Sequence, residues 1–374
     1  MMKKTSLRLA VTLTLFAAAQ ASYAVNYTGK LLEIGSLSGR NSAVSINDNL
    51  QIAGFAQAPY QTGGAPVRHA GMWDGGTAKF TDLTPQLNGF ARANGVNNAG
   101  NVVGTIGSDL HPETQTAVVW NGNDMTVLQG NSAGANAINN HDVIVGYAGN
   151  QAHKWENGVG TALAVTSDSE YSSATAVNDH GAIVGFISSG AYFQARATKW
   201  NGDKISTLDF ARNDVATYAQ SINNAGQVVG YGFDFDEVRH AELWSADGKV
   251  TVLTGPEDGT IHSSAFGINN SGWIVGSAST GLDTYGVLWM GTTGINLNQY
   301  LDRGLYDSGW RITLANGIND RGDIVAELAN VKNRNLENMS YLLTVSAVPE
   351  PEAYAMLLAG LAFVGGIARR RRIA

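Results

Sequence analysis

Seven stretches of the chain repeat one pattern: SINDNLQIAGF (45–55), GVNNAGNVVGT (95–105), AINNHDVIVGY (137–147), AVNDHGAIVGF (176–186), SINNAGQVVGY (221–231), GINNSGWIVGS (267–277) and GINDRGDIVAE (317–327). The shared asparagines are Asn47, Asn97, Asn139, Asn178, Asn223, Asn269 and Asn319, with spacings of 50, 42, 39, 45, 46 and 50 residues. Seven matches at so regular a spacing constitute an internal repeat. Each copy reads as a hairpin. Asn at the first position of a type I turn bonds backbone two residues on, and the Gly three places later takes the left-handed conformation that lets a second strand start. That Gly is Gly100, Gly181, Gly226, Gly272 or Gly322, whereas Leu50 and Asp142 replace it in two copies. Asp tolerates the left-handed region and Leu does not readily, so the first hairpin is expected to turn differently.

A second element follows each of the first six hairpins: HAGMWDGG (69–76), TAVVWNGN (116–123), QAHKWENG (151–158), RATKWNGD (196–203), HAELWSADG (240–248) and YGVLWMGTTG (285–294). Its Trp is Trp73, Trp120, Trp155, Trp200, Trp244 or Trp289, with Ala three residues earlier (Gly in the sixth) and a turn and another short strand after it. Four short strands in about 45 residues is the spacing of a propeller blade. The expected fold is therefore all-β, a seven-bladed β-propeller of four-stranded blades over residues 25–345. Past Asn319 the chain offers a hairpin and MSYLLTV (339–345), with Leu343 at the Trp position, but no fourth strand. The orphan stretch GKLLEIGSL (29–37), ahead of the first Asn, is expected to supply that strand and close the ring.

Both ends read as addresses. Residues 1–24 carry Lys3, Lys4 and Arg8, then the apolar stretch Leu9–Ala19 and the small-residue site Ser22-Tyr23-Ala24. That is the order of a secretory signal peptide cleaved after Ala24, which makes the translocon and signal peptidase its partners. Its apolar stretch is too short to span a core that needs roughly 20 residues. At the other end, residues 346–352 form a Pro-Glu-Pro linker, and residues 353–374 hold the uncharged run Ala353–Ala368 followed by Arg369, Arg370, Arg371 and Arg372. Sixteen helical residues reach roughly 24 Å, a short transmembrane helix whose arginines would hold that end in the cytoplasm.

The 374 residues include 45 glycines and no cysteine, and 44 % are hydrophobic. This composition is neither disordered nor collagen-like, and an exported chain without disulfides must rely on a large core. Residues 25–351 leave out seven basic residues and one acid, so 17 basic face 30 acidic residues, a net charge of −13. Nucleic acid and anionic membranes are poor partners for such a surface.

The tail's sequence of Val348-Pro349-Glu350-Pro351, short apolar span and arginine cluster resembles a PEP-CTERM sorting signal. The resemblance implies recognition by an exosortase, a membrane transpeptidase-like enzyme of Gram-negative bacteria, with cleavage near Pro-Glu-Pro. It also implies a transient stay in the inner membrane and a mature surface or matrix protein tied to exopolysaccharide, as in a biofilm. The prolines suit such processing, because they force an extended, donor-poor segment. The repeat in turn resembles the HAF-type extracellular repeat, whose His-Ala-x-x-Trp strand is matched by His69-Ala70 with Trp73 and His240-Ala241 with Trp244. Thr116, Gln151, Arg196 and Tyr285 stand at the His position elsewhere, which argues against a functional histidine ring.

No residue of the repeats meets the standard of a catalytic assignment. Gly130-Asn131-Ser132-Ala133-Gly134 fits G-x-S-x-G, but that nucleophile elbow needs a helix after it and here a β repeat begins. The seven histidines show no metal-ligand spacing, although His141 and His180 share a turn position and could approach at one rim. No cofactor or metal is expected. In the loop YGFDFDEV (231–238), Asp234, Asp236 and Glu237 lack the pattern of a calcium loop. Phe233 and Phe235 interleave with Asp234 and Asp236, which makes this the best single candidate for a sugar-contacting loop. The six blade tryptophans are expected as packing core, and Trp273 and Trp310, out of register, as surface or loop aromatics. The expected function is that of a non-enzymatic surface or matrix protein acting by binding or structure. A carbohydrate-binding propeller is the alternative, and a polysaccharide-active enzyme, which needs two carboxylates facing one channel, comes third.

Overall fold

The computed structural model describes residues 26–346 apart from 33–36, 38, 58–66, 88, 108–113, 191–193, 212–213, 257–258, 282, 335 and 337. Tyr27–Val345 form one compact unit. The signal peptide at 1–24, the motif Val348–Pro351, the apolar run 353–368, the arginines 369–372 and His111 lie outside the described residues. Among the described residues no helix is long and apolar enough to cross a membrane.

The described residues hold 28 strands, four to each copy of the repeat, in a propeller-like succession of sheets. In the second copy they are Phe90–Val96, Asn101–Gly107, Thr116–Asn121 and Asp124–Val127, each antiparallel to the one before. The first two copies are joined into one sheet by a single parallel bridge, Arg68 to Phe90. The other five copies form separate four-stranded sheets.

The repeated Asn organises each hairpin. Asn47 accepts the backbone N–H of Asn49 at 3.0 Å and of Gln51 at 2.8 Å on its side-chain oxygen, and the same two bonds recur at Asn97, Asn139, Asn178, Asn269 and Asn319. Contrary to the reading from sequence, the first hairpin turns like the others. Leu50 adopts φ 61° and donates to the Asn47 carbonyl at 3.1 Å, as Gly100 does to Asn97 at 3.0 Å. The left-handed region costs a non-glycine residue about 1–2 kcal/mol. The Asn47 bonds, and a bond from the Gly75 N–H to the Leu50 carbonyl at 2.8 Å, hold it there.

A β-bulge falls three residues before every repeat Asn, at Val44, Asn94, Asn136, Thr175, Gln220, Phe266 and Asn316. It presses the first strand onto the second. A Cβ at Gly54, Gly104, Gly146, Gly185, Gly230 or Gly276 would land on a first-strand carbonyl oxygen, which explains why the aliphatic pair of each hairpin ends in Gly. Ala326 replaces that Gly in the seventh copy, where the opposing strand Trp310–Ile318 carries a second bulge at Thr313.

The core lies between sheets. Residues three apart on a strand point to opposite faces, so the third strand of the first five copies shows an indole on one face and an alanine methyl on the other. Trp120 clusters with Ala53 and Ala70 of the first copy, Trp155 with Val103 and Ala117 of the second, and Trp200 with Val145 and Ala152 of the third. Trp244 clusters with Val184 and Ala197, and Trp289 with Val229 and Ala241. Trp73 clusters with Val325 and Leu342 of the seventh copy, so first and last copies pack as neighbours do. All six indoles are at most 1 % exposed, and at about 25 cal/mol per Å² each contributes roughly 4–6 kcal/mol of apolar burial. Trp273 is a half-buried loop aromatic, in the turn ahead of the strand Ile274–Ser279, whereas Trp310 is half-buried at the start of a strand rather than in a loop. The Trp273 ring covers Gly322 of the next turn, and Trp310 opens the strand that pairs with Asn330.

The seventh sheet runs Asn26–Leu31, Met339–Ser346, Ile324–Asn330, Trp310–Ile318. Thr28 and Thr344 hydroxyls meet at 2.7 Å, and the Leu32 N–H donates to the Ser340 carbonyl at 3.0 Å. The fourth strand is thus supplied by the N-terminal segment, but as residues 26–31 rather than 29–37. The Asn41 side chain bonds both the Leu32 carbonyl and the Ser340 N–H and so ends the ladder at Leu32.

Candidate functional site

Two rings of side chains follow from the repeat. At the turns, each repeat Asn donates its side-chain N–H to the backbone carbonyl of the next one, at 2.7–3.1 Å, and Asn319 donates to Asn47. The residues after them, Asp48, Asn98, Asn140, Asp179, Asn224, Asn270 and Asp320, form a second circuit in which each backbone N–H reaches the next side-chain oxygen. Burial pushes the Asp179 carboxyl up, but the Asn140 N–H and the Asn224 and Asn140 amides outweigh it and hold it below the ordinary value. The cavity these turns enclose is only about 170 Å³. With its side chains bonded to one another, this end acts as a clasp.

Ile46, Val96, Ile138, Val177, Ile222, Ile268 and Ile318 line the inner wall of that cavity. Beyond this collar lies a cavity of about 440 Å³ lined by the bulge residues. Asn94, Asn136 and Asn316 each donate an amide N–H, at 2.8 Å, to a carbonyl of the next copy, and the Thr175 hydroxyl does the same at 2.9 Å. The carbonyl ends of those amides are left over, and the Gln220 amide bonds nothing among the described residues.

An adjoining pocket of about 380 Å³ shares Arg92 with it and adds Phe90, Thr105, Gln115 and Tyr147. At the same ends of the strands a row of aromatics, half-buried except for the exposed Tyr171, crosses the fourth and fifth copies. Tyr171 meets Phe186 at 5.7 Å, Phe186 meets Tyr218 at 5.0 Å, Tyr218 stacks on Tyr231 at 5.4 Å, and Tyr231 meets Phe233 at 5.6 Å. Burial raises the phenols of Tyr147, Tyr171 and Tyr231, so they stay neutral donors. Carboxamides, a hydroxyl and aromatic faces suit a polyhydroxylated ring, which offers adjacent O–H groups at its edge and C–H groups on its face.

The acidic loop is divided between roles. Phe233 belongs to the aromatic row. Asp234 caps a turn, accepting the Asp236 and Val238 N–H groups at 2.9 Å and facing His240 at 3.3 Å, and the Val238 bond first of all holds its carboxyl low. Glu237 takes φ 58° in that turn, and Phe235 stands 82 % exposed, apart from the row. His69 pairs with Asp82 at 2.6 Å, while His141 and His180 are exposed on their turns. Ser132 lies in a turn followed by the strand Ala133–Ile138. Among the described residues no three His, Asp or Glu side chains gather as a metal site. The bulge ring escaped the reading from sequence, yet its signal was present. Asn, Thr or Gln stands three residues before the repeat Asn in five copies, a polar position inside a strand that leads into aliphatic residues.

A family profile described as the PEP-CTERM protein-sorting motif matches residues 347–372. The tail is a PEP-CTERM sorting motif. No curated protein matches the chain. Among solved structures, the Pyrococcus horikoshii acylaminoacyl peptidase is similar with a TM-score of 0.53 at 11 % identity, over 83 % of this chain and 53 % of its own. A post-proline cleaving enzyme from Rickettsia typhi gives 0.52 at 9 %, over 83 % and 53 %. YCF48 from Cyanidioschyzon merolae gives 0.51 at 9 %, over 85 % and 99 %. The chain spans about half the length of the two peptidases, and at such identity the likeness concerns the fold alone.

Proposed function

We propose that this chain is an exported, exosortase-sorted surface or matrix protein whose repeats form a closed seven-bladed propeller of the HAF type that binds an extracellular polysaccharide without catalysing a reaction. In this reading the signal peptide is removed after Ala24. The apolar run 353–368 anchors the chain briefly with Arg369–Arg372 in the cytoplasm, and exosortase releases it near Pro349-Glu350-Pro351.

The observation that carries the binding role is the polar bulge ring beside an aromatic row, at the strand ends away from the Asn clasp. Stacking on Tyr218 and Tyr231 would supply apolar contact, and Gln220 has an amide to spare. A glycan array and an exopolysaccharide pull-down with the mature protein test the idea. Gln220→Ala and Tyr231→Ala are each expected to weaken binding about tenfold, the equivalent of one hydrogen bond or stacking contact. If no polysaccharide is bound, the propeller serves as a scaffold only. Sorting is tested separately: alanines at 349–351 are expected to leave the precursor uncleaved in cells, and normal processing of that variant removes the exosortase step.

A further inference from the structure

The fifth copy departs from the repeat at three places, and all three meet. Two residues before the blade Trp the other copies carry Gly71, Val118, His153, Thr198 or Val287, and Tyr341 precedes Leu343 in the same way; the fifth carries Glu242. Two residues after the last Gly of the hairpin stand Ala56, Ile106, Ala148, Ile187 and Ala278, but Gly232 in the fifth. Asp214 leads into the first strand of that copy.

Glu242 is fully buried and Asp214 is 9 % exposed. A Cβ on Gly232 would lie 2.7 Å from the Asp214 Oδ2 and 3.1 Å from the Glu242 Oε1, so the absent side chain is what makes room for the two carboxyls. Among the described residues none of their four oxygens has a hydrogen-bond partner of good geometry. Two carboxylates ionised side by side at such burial carry a desolvation cost of several kcal/mol per ion. Valine fills the Glu242 position in two other copies, so the repeat does not require an acid there.

We propose that Asp214 and Glu242 bind a divalent cation, with calcium as the ion. Two negative charges match its two positive ones. The side chains that converge there offer oxygen alone, because His240, whose backbone lies opposite Gly232, turns its ring to Asp234. Oxygen-only donors suit calcium over zinc or copper. The ion ties the segment ahead of the first strand to the third strand across Gly232, and so braces the strand that carries Tyr231 and Phe233. In its absence the pair holds a proton: burial, then the neighbouring Asp214, pushes the Glu242 carboxyl up to about 10.

Calorimetry and thermal melting of the mature protein, first stripped with EGTA and then titrated with calcium chloride, test the site. The expected result is one calcium per chain and a Tm about 4 °C higher at calcium a hundredfold above its Kd. Both responses are expected to vanish in Glu242→Gln. Glu242→Val, with the residue of the second and sixth copies, is expected to fold and to melt at one temperature with or without calcium, which decides the matter if Glu242→Gln does not fold. A wild-type protein that binds no calcium but gains stability on acidification would hold a proton pair only and overturn the proposal. Equal calcium binding by wild type and Glu242→Val would overturn it as well.

Discussion

The side-chain amide of Asn319 donates to the backbone carbonyl of Asn47 at 3.1 Å, across 272 positions of sequence. The same bond links every neighbouring pair of repeat asparagines, so one residue type at one turn position both shapes its own hairpin and grips the next. Removing one such side chain strips two backbone N–H groups of their acceptor and one buried carbonyl of its donor. Asn139→Ala is expected to cost about 2–4 kcal/mol in urea denaturation. Asn140→Ala, at the next and exposed position, is expected to cost no more than about 1 kcal/mol. Equal losses would mean that the inner circuit has no special weight.

The blade tryptophans are alike in burial but unlike at the indole nitrogen. The N–H of Trp200 donates to the Ala164 carbonyl at 2.7 Å, whereas that of Trp120 is buried without a partner among the described residues. Replacing Trp120 by Phe removes an unsatisfied donor, while the same change at Trp200 leaves a carbonyl unpaired. Trp120→Phe is therefore expected to be the milder by about 1–3 kcal/mol, as read from paired thermal and denaturant melts.

Close strand approach at the bulge gives a second contrast. Gly230→Ala places a methyl on the Tyr218 carbonyl oxygen and is expected to cost more than about 3 kcal/mol or to prevent folding. Ala326→Gly, where the doubled bulge already leaves room, is expected to cost only about 0.5–1 kcal/mol through chain entropy. Circular dichroism melts of the two variants check the pair.

Glu242 gives stability a pH dependence in calcium-free buffer. Its carboxyl sits at about 10 in the folded protein against an ordinary 4.5, so above pH 4.5 the unfolded chain releases a proton that the folded protein keeps. This group's contribution is most favourable below pH 4.5 and declines as pH rises towards 10, by about 1.4 kcal/mol per pH unit between. Urea titrations of wild type and Glu242→Val from pH 5 to 8 are expected to differ by that slope. Parallel profiles would show that Glu242 is ionised in the folded state.

The hairpins, their number and the sharing of the last sheet were legible because a strict period exposes turn chemistry: Asn and Gly recur where the backbone needs them. Leu50 misled because the side chain at that position counts for less than the bonds that Asn47 and Gly75 impose on it. The aromatic row was half legible. Phe233 stood out beside its acids, but Tyr218 and Tyr231 come from paired strands, and only their register places them together. Asp214 and Glu242 are 28 positions apart, outside any metal-ligand spacing. Their meaning rests on Gly232, whose missing side chain reads as an ordinary glycine until the three are seen to converge.

The seventh sheet has a consequence for an exported chain. Asn26–Leu31 finds its partner only when Met339–Ser346 has followed, and the sorting motif begins at residue 347. Until then an unpaired strand edge stays open to strands of other chains. Completion of the fold thus waits for the last strand, which ends directly ahead of the sorting motif.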